Sequence, residues 1–478
     1  MQTHHKKRLR LFLASVGRRP SFHPLVTPPM GILYLAAHLR AKFNIEIRVV
    51  DQRLTNCTYE HLAEQAIDFE ADIVGLSAFT SAAHALPAVT RLIREGLPEA
   101  FIVLGGPHAS ASDAKALEGN SADAAVAGEG EVAFENLFHV NFDRDGLKSL
   151  PGLIWRDKDG AIVRNPGSTP LIEDLDALPF PAYDLIDLRR YWREQSMPPI
   201  PRRRYVSMVT SRGCPYQCIW CHKIFGKRYR AHSPERVVEE IEHYRRVYGV
   251  DEIEFLDDTF THDHDRTYRV CDRIKERLGR ITFASPNGVR ADATPPELFD
   301  ALRGAGLYFS GFPLETGSPR LQDYTGKRLD IPKYLGHLEY AVRIGILTFG
   351  FVMLGFPTET AEELDLTIDT ACNSMLHVAS FATVLPYPGT ELHRIVQERH
   401  PEKLAAIDYA DATFAYTRTN LTDLPDDVFF AYQRKANRKF YLRTDRLGRI
   451  LRDYPKPHLL PLYLPIFMAR ATKGLFSS

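Results

Sequence analysis

Little in this sequence asks for a special environment. Cysteine is scarce, six in 478 residues, too few and too unevenly spread for a disulfide framework. Charge of one sign is not in excess. The 60 Lys and Arg balance the 60 Asp and Glu, so no global field draws the chain to nucleic acid or another polyanion. Long apolar runs are missing as well. Residues 1–10 are basic and polar and the apolar stretch 11–16 is only strand-sized, which excludes a signal-peptide core and makes the cytoplasm the expected compartment. The late stretch 458–468 carries about ten apolar residues and two prolines, where a bilayer span needs about 20. Peripheral contact with a membrane stays open for that stretch, and packing on the protein body is the expectation. No short-period repeat and no low-complexity tract is present.

Hydrophobic residues at 44% and charged residues at 25% describe an ordinary soluble chain, long enough for two or three domains. From residue 9 to about 138, short apolar runs alternate with amphipathic stretches. Strands are expected at 9–16, 45–51, 73–77 and 101–105, and helices at 31–43, 59–69 and 85–95. That rhythm predicts an α/β fold with a doubly wound, Rossmann-like parallel sheet, its ligand loops at the carboxyl ends of the strands. Each strand end does run into a polar or glycine-containing loop: Asp51, Ser77-Ala-Phe-Thr80, Gly105-Gly106-Pro-His108 and Gly128-Glu129-Gly130-Glu131. Residues 146–200 read as a linker with a hairpin, its strands at 153–155 and 161–164 around Asp157-Lys-Asp-Gly160.

A second alternating region has strands at 205–210, 252–256, 282–285, 308–313, 348–354 and 379–385, with helices such as 234–248 between them. Six strands in that order predict a partial (β/α)6 barrel of the TIM type, active at its strand carboxyl ends. The expected domains are 1–145, the linker 146–200, the barrel at 201–395, and a mostly helical carboxyl-terminal region at 396–478.

Three of the six cysteines crowd into eight residues directly after a predicted strand: Ser211-Arg-Gly-Cys214-Pro-Tyr-Gln-Cys218-Ile-Trp-Cys221-His. So tight a group points to a metal. Thiolates are the usual ligands of iron–sulfur clusters, and a four-iron cube held by three of them keeps one iron open to chelation by another molecule. A structural zinc site is the alternative. It needs four closed ligands, and the available fourth, His222, is adjacent to Cys221. The cluster is the favoured reading. Cys57, Cys271 and Cys372 stand in unrelated contexts and read as buried thiols.

The cysteine loop resembles the signature of the radical S-adenosylmethionine (SAM) superfamily, and residues 9–395 together resemble its cobalamin-binding-domain class. The resemblance implies a [4Fe-4S] cluster on Cys214, Cys218 and Cys221, S-adenosylmethionine on the open iron, and reductive cleavage to a 5'-deoxyadenosyl radical. It places Trp220 near the adenine. Phe255-Leu-Asp257-Asp258 matches the strand end that contacts the SAM amine, although an Asp pair can equally cap the next helix. Arg290, in Asn287-Gly-Val-Arg290-Ala-Asp292, could pair with the cofactor carboxylate through its planar fork or serve a structural ion pair. Pro313-Leu-Glu315-Thr-Gly317-Ser318 matches the loop whose Glu binds the ribose, with Ser318 as a further cofactor contact. Leu354-Gly-Phe-Pro357-Thr-Glu359 and Pro386-Tyr-Pro-Gly389 match later strand-end loops.

In the amino-terminal region Pro29, Met30 and Gly31, Ser77, Gly105 and Gly106, and Gly128, Glu129 and Gly130 resemble cobalamin-binding loops, where small residues let backbone approach a bulky ring. The axial-imidazole pattern Asp-x-His-x-x-Gly is missing, because Asp51-Gln52-Arg53-Leu54 has no His. Either the cobalt takes no protein imidazole or the domain binds substrate instead. His84 and His108 read as loop histidines.

The activity so implied is cobalamin-dependent C-methylation of a small-molecule or lipid biosynthetic intermediate, with an electron donor such as flavodoxin or ferredoxin. The alternatives are radical cyclisation, oxidation or rearrangement of a lipid, tetrapyrrole or antibiotic precursor, and a non-catalytic cobalamin-binding sensor. Transfer-RNA methylthiolation is disfavoured by the single cysteine, Cys57, ahead of the linker and by the balanced charge.

Overall fold

The computed structural model describes residues 8–19, 25–200, 203–410 and 419–462. The chain forms two units. One takes the residues up to Tyr191 together with His222–Gly226, and the other takes Trp192–Cys221 and the chain from Lys227 onward.

In the first unit the strands are β1 (Leu9–Val16), β2 (Ile45–Asp51), β3 (Ile73–Ala78), β4 (Phe101–Gly105), β5 (Ala124–Ala125), β6 (Ile154–Arg156) and β7 (Ile162–Arg164). They form one sheet in the order β2-β1-β3-β4-β5-β6-β7. Pairing is parallel from β2 through β5 and antiparallel from β5 to β7. Strand alternation explains how both faces are covered. Phe12, Ala14 and Val16 of β1 pack with Leu62, Ala66, Val89 and Ile93 from the helices Tyr59–Asp68 and Leu86–Gly96. Leu11 and Leu13 turn the other way, onto Ile32, Ala36, Phe134 and Leu137 from the helices Met30–Lys42 and Gly130–His139. Because β1 lies between β2 and β3, the strand order reverses beside it. Open parallel sheets bind ligands at that point, outside the carboxyl ends of the strands. The hairpin expected within the linker is β6–β7, and instead of bridging it extends this sheet at its edge.

The second unit contains β8 (Tyr205–Met208), a short antiparallel pair β9 (Ser211–Arg212) and β10 (Arg230–Ala231), then β11 (Glu252–Phe255), β12 (Thr282–Ser285), β13 (Leu307–Glu315), β14 (Leu347–Leu354) and β15 (Val378–Thr383). Six of these make an all-parallel sheet in sequence order, β8-β11-β12-β13-β14-β15, which is the partial barrel expected. Crossover helices such as Pro234–Tyr248 and His264–Leu278 begin at Ser233 and Asp263, whose side chains accept from the first-turn amides. The carboxyl-terminal region is helical at Asp426–Tyr441 and Thr444–Asp453. Most of the apolar stretch 458–468 lies outside the described residues. No helix among the described residues is long and apolar enough to cross a membrane.

At the amino ends of the barrel strands sits a buried ionic cluster. The Arg203 guanidinium contacts Glu252 and Glu254 of β11 and the Ser196 hydroxyl, and the Tyr308 hydroxyl of β13 donates to Glu252. Arg203 is 4% exposed, so the two carboxylates depend on this one cation in a medium that does not solvate them. Burial holds the Glu252 carboxyl above its ordinary value even beside Arg203. Removing the cation with Arg203→Met should destabilise the barrel by about 3–5 kcal/mol. Differential scanning calorimetry on the whole chain would register this as a lower midpoint for the barrel transition.

Candidate active site

The cysteine loop leaves β9 through Gly213 and follows an irregular path, so its course must be fixed by partners. Asp257, at the end of β11, supplies the first of them. It is buried, and its carboxylate accepts from the Thr210 amide at 3.2 Å, the Thr210 hydroxyl at 2.8 Å and the Ser211 hydroxyl. Arg266 donates to the Thr210 carbonyl at 3.0 Å. Farther along, the Ile219 amide donates to Thr325 O at 3.0 Å, and Ile219 O accepts from the Leu392 amide at 2.9 Å. Gly326 turns at φ 69° against the loop, where a Cβ would lie 2.7 Å from Gln217 O; only glycine fits there. Segments following β11, β13 and β15 thus hold three sides of the loop.

All three loop cysteines are free thiols, with Cys218 buried and Cys214 and Cys221 half-buried. A hydrogen bond from the Cys221 thiol brings Cys218 down to about 7 against burial, and the Lys327 ammonium assists. The same bond, with burial, pushes Cys221 up. Burial also raises Cys214. Cys271 and Cys372 lie apart in the core, pushed by burial up to about 12 and about 11, as befits inert thiols. Among the described residues no three metal-ligating side chains converge on a single ion position. Three thiols on one pinned loop, one already inclined to ionise beside a buried ammonium, fit the thiolate set of an iron–sulfur cluster.

Around the loop the expected contacts separate. Trp220 packs its ring 5.5 Å from Phe356, in the loop after β14. Asp258 is half-buried, with its charge opposing ionisation of Cys214. Glu315 ends β13 at φ 62°, buried, and pairs with Lys327 Nζ at 3.3 Å. Three other residues are occupied with the protein. Asp257 braces the cysteine loop. The Arg290 fork meets Asp292 at 3.0 Å and Arg328 O at 2.6 Å, with its guanidinium 4.4 Å from the centre of the Tyr216 ring. Ser318 accepts from the Leu321 amide and donates to Glu363 at 2.6 Å, as a helix cap. For Arg290, the structural ion pair is the alternative the structure displays.

Two residues of the site give no clear signal in the sequence. Lys327 carries no motif of its own, and only the Gly326 turn brings it to the cysteines. Glu359 stands out in the sequence only as part of a strand-end loop. Its carboxylate accepts from the Gly355 and Phe356 amides at 2.5 and 3.0 Å, while its second oxygen, buried, has no hydrogen-bond partner.

In the first unit the glycine loops gather at the carboxyl edge of the sheet. Ser77 of β3 lies in register with Gly105 of β4. Gly106 turns at φ 79°, where an added Cβ would stand 2.2 Å from Ser77 Oγ. Ser110 donates to Gly106 O and accepts from the Gly128 amide, both at 2.9 Å, tying the two loops together. Glu129 is buried and accepts from the Ile172 amide at 2.9 Å, and Gly130 begins the helix Gly130–His139. Pro29 precedes the helix Met30–Lys42, and Met30 Sδ receives the Tyr183 hydroxyl at 3.1 Å. Added Cβ atoms at Gly31 and Gly105 would meet nothing within 4 Å. An open edge lined by absent side chains fits a bulky planar ligand such as a corrin. Asp51 instead forms a structural corner: it caps Gln52–Thr55 and accepts from the Tyr191 hydroxyl at 2.9 Å. His84 bonds Tyr59 and His108 bonds Ser112, both at 3.2 Å.

Burial pushes the Glu359 carboxyl up to about 8, against the pull of the two amides and the ordinary value of 4.5. The folded state therefore holds its proton more tightly than the unfolded chain. The stability this provides is complete below about pH 4.5 and is lost as pH rises through about 8. Glu359→Gln keeps an acceptor for both amides but cannot ionise. It should flatten that slope and leave the barrel more stable above pH 8 by a few kcal/mol, because each tenfold difference in proton affinity between the two states is worth about 1.4 kcal/mol. Thermal midpoints of both proteins between pH 5 and 9 would check this.

Comparison with known proteins agrees with the two units. Residues 24–138 match the B12 binding domain and residues 208–371 match the Radical SAM superfamily. An uncharacterized methyltransferase of Pyrococcus horikoshii is 32% identical over 87% of this chain and 88% of its own length. The cytidylyl-2-hydroxyethylphosphonate methyltransferase of Streptomyces wedmorensis is 28% identical over 78% of each chain. Among solved structures, the cobalamin-dependent S-adenosylmethionine radical enzyme OxsB, with aqua-cobalamin and S-adenosylmethionine bound, aligns with a TM-score of 0.73 at 16% identity, over 96% of this chain and 72% of its own. This chain is an enzyme of the radical SAM superfamily and belongs to its class with an amino-terminal B12-binding domain, whose cofactors are an iron–sulfur cluster, S-adenosylmethionine and cobalamin.

Proposed function

We propose that this enzyme transfers a methyl group to a carbon atom of a small-molecule or lipid biosynthetic intermediate. The observation that carries the reading is the presence in one chain of a pinned three-cysteine loop at barrel strand ends and an open glycine-lined edge on a flavodoxin-type sheet. The methyltransferase names of the two relatives support it.

In this reading Cys214, Cys218 and Cys221 hold the cluster. Asp258, Glu315 and Trp220 flank S-adenosylmethionine, with Glu315 directed to the ribose hydroxyls as in the family it resembles. Gly105, Gly106, Gly128 and Gly130, with Pro29, Met30, Gly31, Ser77 and Glu129 about them, form the cobalamin cradle. When bound, these cofactors supply a low-potential electron, a hydrogen-abstracting radical and a transferable methyl group. The chain's own part is placement. Asp257 keeps the cysteines in position, Phe356 backs the Trp220 ring, and the Gly106 turn keeps side chains off the corrin edge. An electron carrier of the flavodoxin or ferredoxin class would deliver the reducing equivalent.

Anaerobically purified protein should contain about four irons and one corrinoid per chain. With reductant, methyl-labelled S-adenosylmethionine and a small-molecule extract, it should release 5'-deoxyadenosine and place the label in a carbon-bound methyl group. Deoxyadenosine formed together with a new product that carries no label would instead identify a cyclase, oxidase or rearranging enzyme. Cys218→Ala should lose its iron and all turnover; a variant that kept turnover would sink the cluster assignment.

A further inference from the structure

Lys327 is the only buried lysine among the described residues. An ammonium in such a place is costly unless negative charge surrounds it. One counter-charge is Glu315, at 3.3 Å. Backbone geometry puts the others beside it. The turn Thr325-Gly326-Lys327 lies along Gln217-Cys218-Ile219, through the bond from the Ile219 amide to Thr325 O and through Gly326, whose added Cβ would stand 2.7 Å from Gln217 O and 3.9 Å from the Cys218 Cα. Cys218 and Cys221 are both within electrostatic reach of Lys327. Arg290 adds a second positive charge, but its fork is committed to Asp292 and Arg328 O.

Charge near an iron–sulfur cluster sets its reduction potential, because the reduced form carries one more negative charge than the oxidised form. A buried cation beside the ligand sulfurs stabilises the reduced form and raises the potential. A buried carboxylate does the reverse.

We propose that Lys327 is the counter-cation of the cluster and Glu315 its antagonist, so that this ion pair sets the potential at which the cluster accepts its electron. The inference rests on the cluster reading of the three cysteines. The step is a one-electron reduction, with the electron supplied by a low-potential donor and no bond made or broken in the protein. In this proposal Lys327 acts through the charge it places beside the cluster.

The test is a redox titration of anaerobically reconstituted full-length protein. It uses dithionite and mediators, with no S-adenosylmethionine present, and is followed by the electron spin resonance of the reduced cluster, with iron measured on every sample. Lys327→Met should keep its iron and titrate at a more negative midpoint than wild type. Lys327→Arg should restore the midpoint, and Glu315→Gln should shift it to a more positive value. Unmoved midpoints at full iron content, or Met and Gln variants that shift in the same direction, would overturn the proposal. Should Lys327→Met fail to hold iron, Glu315→Gln decides: a positive shift supports the assignment, and none refutes it. Wild-type protein without iron would remove the cluster reading itself, and this inference with it, an outcome that iron analysis separates from an unmoved potential.

Discussion

Three thiols on an irregular loop can serve one cluster only if the backbone carrying them is held, and the Asp257 carboxylate is where that holding starts. It lies at the carboxyl end of β11, buried, and spends its oxygens on Thr210 and Ser211, just before the first cysteine. Burial raises its proton affinity, and the bonds from Ser211 and Thr210 and the charge of Arg266 pull the other way. The remaining braces, Thr325 O, the Leu392 amide and Gly326, come from segments after β13 and β15. Parallel strands all end on the same side of a sheet, so one short loop can reach three of these segments at once.

That common polarity also separates stability from chemistry. At the amino ends of the barrel strands, Arg203, Glu252, Glu254 and Tyr308 form a buried ionic cluster in which one cation serves two carboxylates and a Glu254 oxygen has no hydrogen-bond partner. At the carboxyl ends buried polar groups are also left partly unanswered, here beside the cysteine loop. The Lys327 ammonium faces more than one acidic group, and a Glu359 oxygen has no partner. Buried polarity left partly unanswered is expensive, and at the carboxyl ends a ligand can complete it.

Local patterns carried most of the fold. Strands expected at 9–16, 45–51, 101–105 and 282–285 and the helix expected at 234–248 have those bounds in the structure. What sequence could not show is partnership. β5 has two residues, too few for any period to appear. The helix Gly106–Ser112 opens on glycine and proline and reads as a loop. The hairpin at β6–β7 was visible, but its membership in the first sheet depends on pairing with β5, about thirty residues earlier in the chain. The site divides in the same way. Cysteine spacing is local and legible, and so is the Arg290–Asp292 pair two residues apart, whereas Asp257 as a brace and Lys327 beside the thiols depend on residues distant in sequence.

The barrel sheet ends at β15, which has a paired neighbour on one side only. The helix Asp426–Tyr441 lies along that strand. Tyr441 bonds both the amide and the carbonyl of Ala379, and the Gln433 side-chain amide takes the Phe381 carbonyl at 3.2 Å. Backbone groups that would otherwise template a strand from another molecule are thereby occupied. The described carboxyl-terminal helices carry none of the residues proposed for a cofactor, yet they cover this edge against self-association: a chain cut after β15 would keep its cysteines and expose an adhesive margin.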